Sequence, residues 1–163
     1  MGNSNHRPRP RRSVRLKGYD YAQAGAYFVT VCAHNRECLF GDVGARRAVP
    51  NSAPEMILND FGDIVVAEWL KTATIHAEIG LGEFVVMPNH FHGILILGEG
   101  TARRAPTIEK FGQPVAGSVP TIIRSFKAAV TKCINEIRNA PARPCGNAII
   151  MNISFATRPI TPA

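Results

Sequence analysis

EFVVMPNHFHGILIL, residues 83–97, is the most hydrophobic passage of the chain. Its flanks, EFVVM and HFHGILIL, are β-branched and aromatic, which suits strands. Pro88 and Asn89 break the run where a tight turn would fall, so the passage predicts a hairpin. Side chains alternate along a strand, which sends His90 and His92 to one face and Phe91 to the other. At the usual strand rise the two histidines lie roughly 6.6 Å apart along the chain. Both imidazoles can therefore lean onto one divalent cation, on a platform held rigid by Val85, Val86 and Ile94 to Leu97 in the core. Imidazole donors suit Mn, Zn, Fe or Ni better than a cage of oxygens does, and two protein ligands leave positions for water and a substrate phosphate. Two half-buried histidines bonded to backbone groups would satisfy the same spacing, so H-x-H by itself does not choose between them.

Outward from the hairpin, GAYFVTVCA (residues 25–33) has strand composition with turn residues on both sides. HNRECLFGDV continues as a turn and a short second strand, and VGARRAVPNSAPE follows as a loop. Asn59 or Asp60 can cap a helix through DFGDIVVAEWLKTA, where Phe61, Ile64, Val65 and then Trp69 or Leu70 approximate one apolar face. GEGTARRAPTIEKFGQPVAGS is a second loop that repeats the Ala-Arg-Arg-Ala wording of the first, and two copies make paired surface insertions rather than a solenoid. SVPTIIRSFKAAVTKCINEIRN is the clearest helix, with Pro120 in its first turn. Ile122, Ile123, Phe126, Val130, Cys133, Ile134 and Ile137 form its apolar stripe, and Arg124 and Lys127 fall off that stripe. The order strand, strand, helix, strand, strand, helix indicates an α+β fold, with helices on one face of an antiparallel sheet.

The 163 residues suffice for one domain with its own core, and 45% hydrophobic content argues against disorder throughout. The net charge of +7 favours an anionic partner, nucleic acid before membrane. Residues 1–17 carry six Arg and Lys and no acid, a flexible arm in which Arg11, Arg12, Arg15 and Lys17 suit phosphate contacts. A solubilising tail has the same composition. No signal peptide is expected, since an apolar segment near the start is missing. No apolar run approaches the roughly 20 residues of a membrane span. Cys32, Cys38, Cys133 and Cys145 lack zinc-finger spacing and read as reduced thiols of a cytoplasmic protein.

FVVMPNHFHGILIL resembles the histidine motif of the REP-associated tyrosine transposases, members of the HUH single-strand nucleases related to the single-tyrosine transposases of bacterial insertion sequences. RRSVRLKGYDYAQAGAYFVTVCAHNRECLFGDV is similar to that family's opening strands, LNDFGDIVVAEWL to its first helix, and GSVPTIIRSFKAAVTKCINEIRN to its second. The likeness runs from about Arg11 to Asn139. It implies a ferredoxin-like domain over residues 18–139, with Arg/Pro-rich loops at about 43–58 and 98–118. It further implies His90 and His92 as ligands of Mg²⁺ or Mn²⁺, with Asn89 shaping the turn rather than ligating. The implied partner is single-stranded or hairpin DNA of the REP palindrome kind, handled near the bacterial nucleoid by a monomer or homodimer. The implied reaction is cleavage and rejoining through a tyrosine that forms a 5′-phosphotyrosine link.

That tyrosine belongs on a helix after Asn139, yet the chain's tyrosines are Tyr19, Tyr21 and Tyr27. Where the family continues with wording such as VWQRNYYEHIIRNE, this chain has PCGNAIIMNISFATRP. One allowed back-translation of Pro144–Arg158, read two bases further on, yields VWQRNYYEHIIRNE. Met151 and Asn152 alone dictate the GAA of its glutamate. The expectation is a frame shift near residues 140–144, with the tyrosine pair encoded out of frame across Ile149, Ile150 and Met151. Residues 140–163 are then an aberrant, disordered tail. Sequencing the gene across this stretch is expected to show TAT or TAC triplets in the shifted frame; their absence refutes the frame shift.

Overall fold

The computed structural model describes residues 19–44, 55–98 and 115–139 and the backbone of 153–158. The first strand, β1 (Gly25–Cys32), leads through a short 3-10 turn (His34–Arg36) into β2 (Gly41–Gly44). Next come β3 (Glu55–Leu58) and helix α1 (Asp60–Ile75). The hairpin of β4 (Ile79–Met87) and β5 (His90–Leu97) precedes helix α2 (Val119–Ile137) and the last strand, β6 (Ile153–Arg158).

β1, β4, β5 and β6 form one antiparallel sheet in the order β4-β5-β1-β6, and β2 pairs with β3 in a separate two-stranded sheet. Without that small sheet the element order is βαββαβ, and the central position of β5 and β1 is the ferredoxin-like arrangement. Trp69 of α1 and Phe126 of α2 both pack on Phe91 of β5, so both helices cover one face.

The periodicity of the strands decides which face. Along β5, Phe91, Leu95 and Leu97 are buried, and His90, His92, Ile94 and Ile96 are only partly so. On β1 the buried set is Tyr27, Val29 and Val31. Against these lie Trp69 of α1 and Phe126 of α2: the Trp69 and Phe91 rings are 4.8 Å apart, Trp69 and Phe126 5.4 Å, and Phe91 and Phe126 5.6 Å. Full burial of each such ring contributes about 1.5–3 kcal/mol. The other face of the sheet carries no helix among the described residues, and Phe28 and Val85 are 42% and 46% exposed there.

Local chemistry explains the helix starts. Asn59 caps α1, its Oδ1 accepting from the amides of Phe61 and Gly62 at 3.0 Å each. Pro120 sits in the first turn of α2, where its missing amide proton costs nothing. Among the described residues, no helix is long and apolar enough to cross a membrane. The three described cysteines, Cys32, Cys38 and Cys133, are free.

Several expectations need correction. Of the alternatives Trp69 and Leu70, the core takes Trp69, and Leu70 is 52% exposed. Ile137, the last residue of α2, is not part of the buried stripe and is also exposed. Val85 is not in the core, because β4 is buried on one face alone. The stretch read as loop from residue 43 begins and ends in strand, since β2 and β3 satisfy each other's backbone groups. Within the tail read as disordered, Ile153–Arg158 pairs with Val31–Ala26, supplying partners to the outer edge of β1.

Gly93 shows how tightly the helix side is filled. A Cβ at that position would lie 2.7 Å from Phe91 Cζ and 2.8 Å from Trp69 Cζ2. Gly93→Ala is expected to destabilise by about 1–3 kcal/mol through overpacking, and Phe91→Ala by about 3–5 kcal/mol through the cavity it leaves. Urea unfolding followed by the fluorescence of the single tryptophan checks both; a neutral Gly93→Ala contradicts the packing described.

Candidate metal centre

His90 opens β5 directly after the two-residue turn Pro88–Asn89. That turn is docked rather than free. Phe40 N donates to Pro88 O and Ala33 N to Asn89 O, both at 2.9 Å, and Asn89 Nδ2 donates to Arg36 O at 3.2 Å. The segment after β1 thus braces the tip of the hairpin. Its backbone is unusual, with φ of 52° at Asn35 and 57° at Arg36, the left-handed region that non-glycine residues rarely enter.

The structure brings His90 and His92 together on the sheet face opposite the helices. Their ring centroids are 4.6 Å apart and the ring planes stand at 80°. Each ring is held at Nδ1. His90 Nδ1 is 2.6 Å from Asn89 Oδ1, and His92 Nδ1 is 2.9 Å from Thr30 Oγ1 on the neighbouring strand. Thr30 is the cross-strand partner of His92, and Cys32 that of His90. Phe28, one step diagonal, stacks on the His92 ring at 5.1 Å with an interplanar angle of 25°. Burial lowers the pKa of His90 below the usual 6.5, and the nearby positive charges of His92 and Arg36 act in the same direction. His90 is therefore neutral at neutral pH, which is the form that ligates a metal.

The donor set fits a divalent cation in part. Two imidazoles share a face with Nε2 as the nitrogen left over on each, an arrangement typical of metal-binding histidines whose second nitrogen is hydrogen-bonded. No group of three or more His, Cys, Asp or Glu side chains suited to a metal occurs among the described residues. A cation held there would take two donors from this pair and the rest from elsewhere.

The other expected site residues lie elsewhere. Arg124 and Lys127 are on α2, in the layer across the sheet from the histidines, so they do not share one site with them. Arg11, Arg12, Arg15 and Lys17 fall outside the described residues, as do Ile149, Ile150 and Met151. All three tyrosines lie on the core side. Tyr21 and Tyr27 are buried, and Tyr19 packs edge-on against Tyr21 at 4.8 Å. Tyr27 donates its hydroxyl to Gln23 O at 2.7 Å, and burial drives its pKa far above the usual phenol value. Thr30, Phe28 and Arg36 were not singled out from sequence. Alternation along GAYFVTVC does put Phe28 and Thr30 on one face, but which histidine they meet depends on the register between distant strands.

No family model matches the chain. A protein of Haemophilus influenzae described only as uncharacterized is 38% identical over 127 residues, 74% of this chain and 66% of that protein. Among solved structures, a REP-associated tyrosine transposase bound to a REP hairpin is similar with a TM-score of 0.47 and 17% identity, over 91% of this chain and 63% of that one. The chain spans just under two thirds of the length of each.

In an NMR titration, His90 is expected to titrate below 6.5. His92→Gln removes a like charge and should move the midpoint upward. Because the unfolded chain binds this proton more readily, stability should fall as pH drops through the region just below 6.5. A His90 midpoint at or above 6.5 contradicts this.

Proposed function

We propose that this chain is a single-stranded DNA-binding domain of the tyrosine transposase kind, using Mg²⁺ or Mn²⁺ at His90 and His92 to engage a phosphate of hairpin DNA. The observation that carries the proposal is the pair itself: two imidazoles with centroids 4.6 Å apart, fixed at Nδ1, on the open face of a ferredoxin-like sheet. The motif wording of FVVMPNHFHGILIL and of both helices supports the same assignment.

When bound, the cation would polarise the phosphate and offset charge developing on its oxygens. The histidines orient that centre, and the rigid strand keeps their spacing. Among the described residues no element covers this sheet face, which leaves room there for an extended strand of nucleic acid, with Phe28 exposed next to His92. The basic arm and Arg124 and Lys127 would contribute sequence-independent phosphate contacts around the domain.

Cleavage and rejoining, and with them DNA transposition, require a nucleophile. The three tyrosines of this sequence are packed on the helix side of the sheet, away from the histidines. This observation favours a second reading for the chain as it stands: a remnant that grips hairpin DNA without cutting it.

Incubating the protein with a labelled hairpin and Mn²⁺ separates the two. A covalent protein–DNA adduct supports cleavage; a gel shift without adduct supports the remnant. The logarithm of affinity should fall linearly with the logarithm of salt concentration. Absent or salt-insensitive binding refutes both.

A further inference from the structure

The geometry points to Asn89 and Thr30 as positioning residues that hold the two imidazoles so that each presents Nε2 as the open donor. The inference rests on the metal reading proposed above and adds to it the groups that make the pair competent.

The case for Asn89 follows from donor and acceptor inventory. Arg36 O can only accept, so the Asn89 nitrogen facing it at 3.2 Å is the amide NH₂. The opposite end of the same carboxamide is then oxygen, also purely an acceptor, and it lies 2.6 Å from His90 Nδ1. His90 Nδ1 must therefore carry the proton and donate it. In a neutral ring this leaves Nε2 with its lone pair free. Asn89 thus does more than shape the turn: it links the strained Arg36 backbone to the tautomer of the first ligand.

Thr30 plays the matching part for His92, from the adjacent strand. Its hydroxyl, 2.9 Å from Nδ1, has lone pairs ready to accept the Nδ1 proton once Nε2 gives its own pair to a cation. The stacked ring of Phe28 opposes rotation of the imidazole, so Nδ1 stays turned to Thr30. Both supports come from rigid elements or from a loop that is itself hydrogen-bonded, and they reach the rings from different directions.

Nitrogen-15 NMR of the metal-free protein reads the first half directly, with His90 expected as the Nδ1–H tautomer. Finding the proton on Nε2 overturns the inference. Mn²⁺ binding, followed by electron paramagnetic resonance, reads the second. Thr30→Val, nearly the same shape, is expected to weaken Mn²⁺ binding about tenfold, and Asn89→Ala similarly. Thr30→Ser, which keeps an acceptor in place, should restore most of it. Unchanged affinity in Thr30→Val and Asn89→Ala overturns the inference, while loss in Thr30→Ser equal to that in Thr30→Val assigns Thr30 a packing role and also overturns it. A wild-type protein with His90 as Nδ1–H that takes up no Mn²⁺ refutes the metal reading instead, and leaves the tautomer assignment supported.

Discussion

Burial of Phe91 between Trp69 and Phe126 governs the direction in which His90 and His92 point. A strand has a period of two, so once Phe91 is committed to the helix side its neighbours are committed to the open side. A slip of one residue in β5 would exchange the faces, placing two imidazoles in an apolar core and a phenyl ring in water. Removing the bare space at Gly93, or the ring of Phe91, therefore acts on the histidine pair through the packing behind it.

The second constraint is the bracing of the hairpin tip. A turn of Pro88 and Asn89 by itself would leave His90 at the frayed end of a strand. Bonds from Phe40 N and Ala33 N to the turn's carbonyls, and from Asn89 to Arg36 O, fix it to the segment that follows β1. The same segment brings the Arg36 charge near His90 and helps to keep that ring neutral. Structure, electrostatics and tautomer are set by one short piece of chain, which adopts a left-handed backbone at Asn35 and Arg36 to do so.

Much of the architecture was legible because it follows local rules. Asn59 announces α1 by its side chain, Pro120 marks the first turn of α2, and Ile122, Ile123, Phe126, Val130 and Ile134 trace the buried stripe. What escaped was short or depended on a distant partner. β3 is four residues next to a proline-rich stretch, with no period long enough to register. β6 lies in a stretch whose wording departs from the expected helix, and it becomes a strand because the edge of β1 offers unpaired backbone groups. Leu70 and Trp69 are adjacent and both apolar, so only the placement of α1 on the sheet separates a core residue from an exposed one.

The histidine pair divides in the same way. Its position on one strand face, the opposite course of Phe91, and the α+β class follow from residue type and spacing, because strand alternation and helix periodicity are local properties of the chain. The closeness of the rings, their hold by Asn89 and Thr30, the stacking of Phe28 and the influence of Arg36 were decided by tertiary structure. Thr30 meets His92 only through a register between strands 62 residues apart, and sequence spacing carries no information about such a register. The separation of Arg124 and Lys127 from the site has the same origin: a helix face is readable from sequence, but the layer in which that helix packs is not.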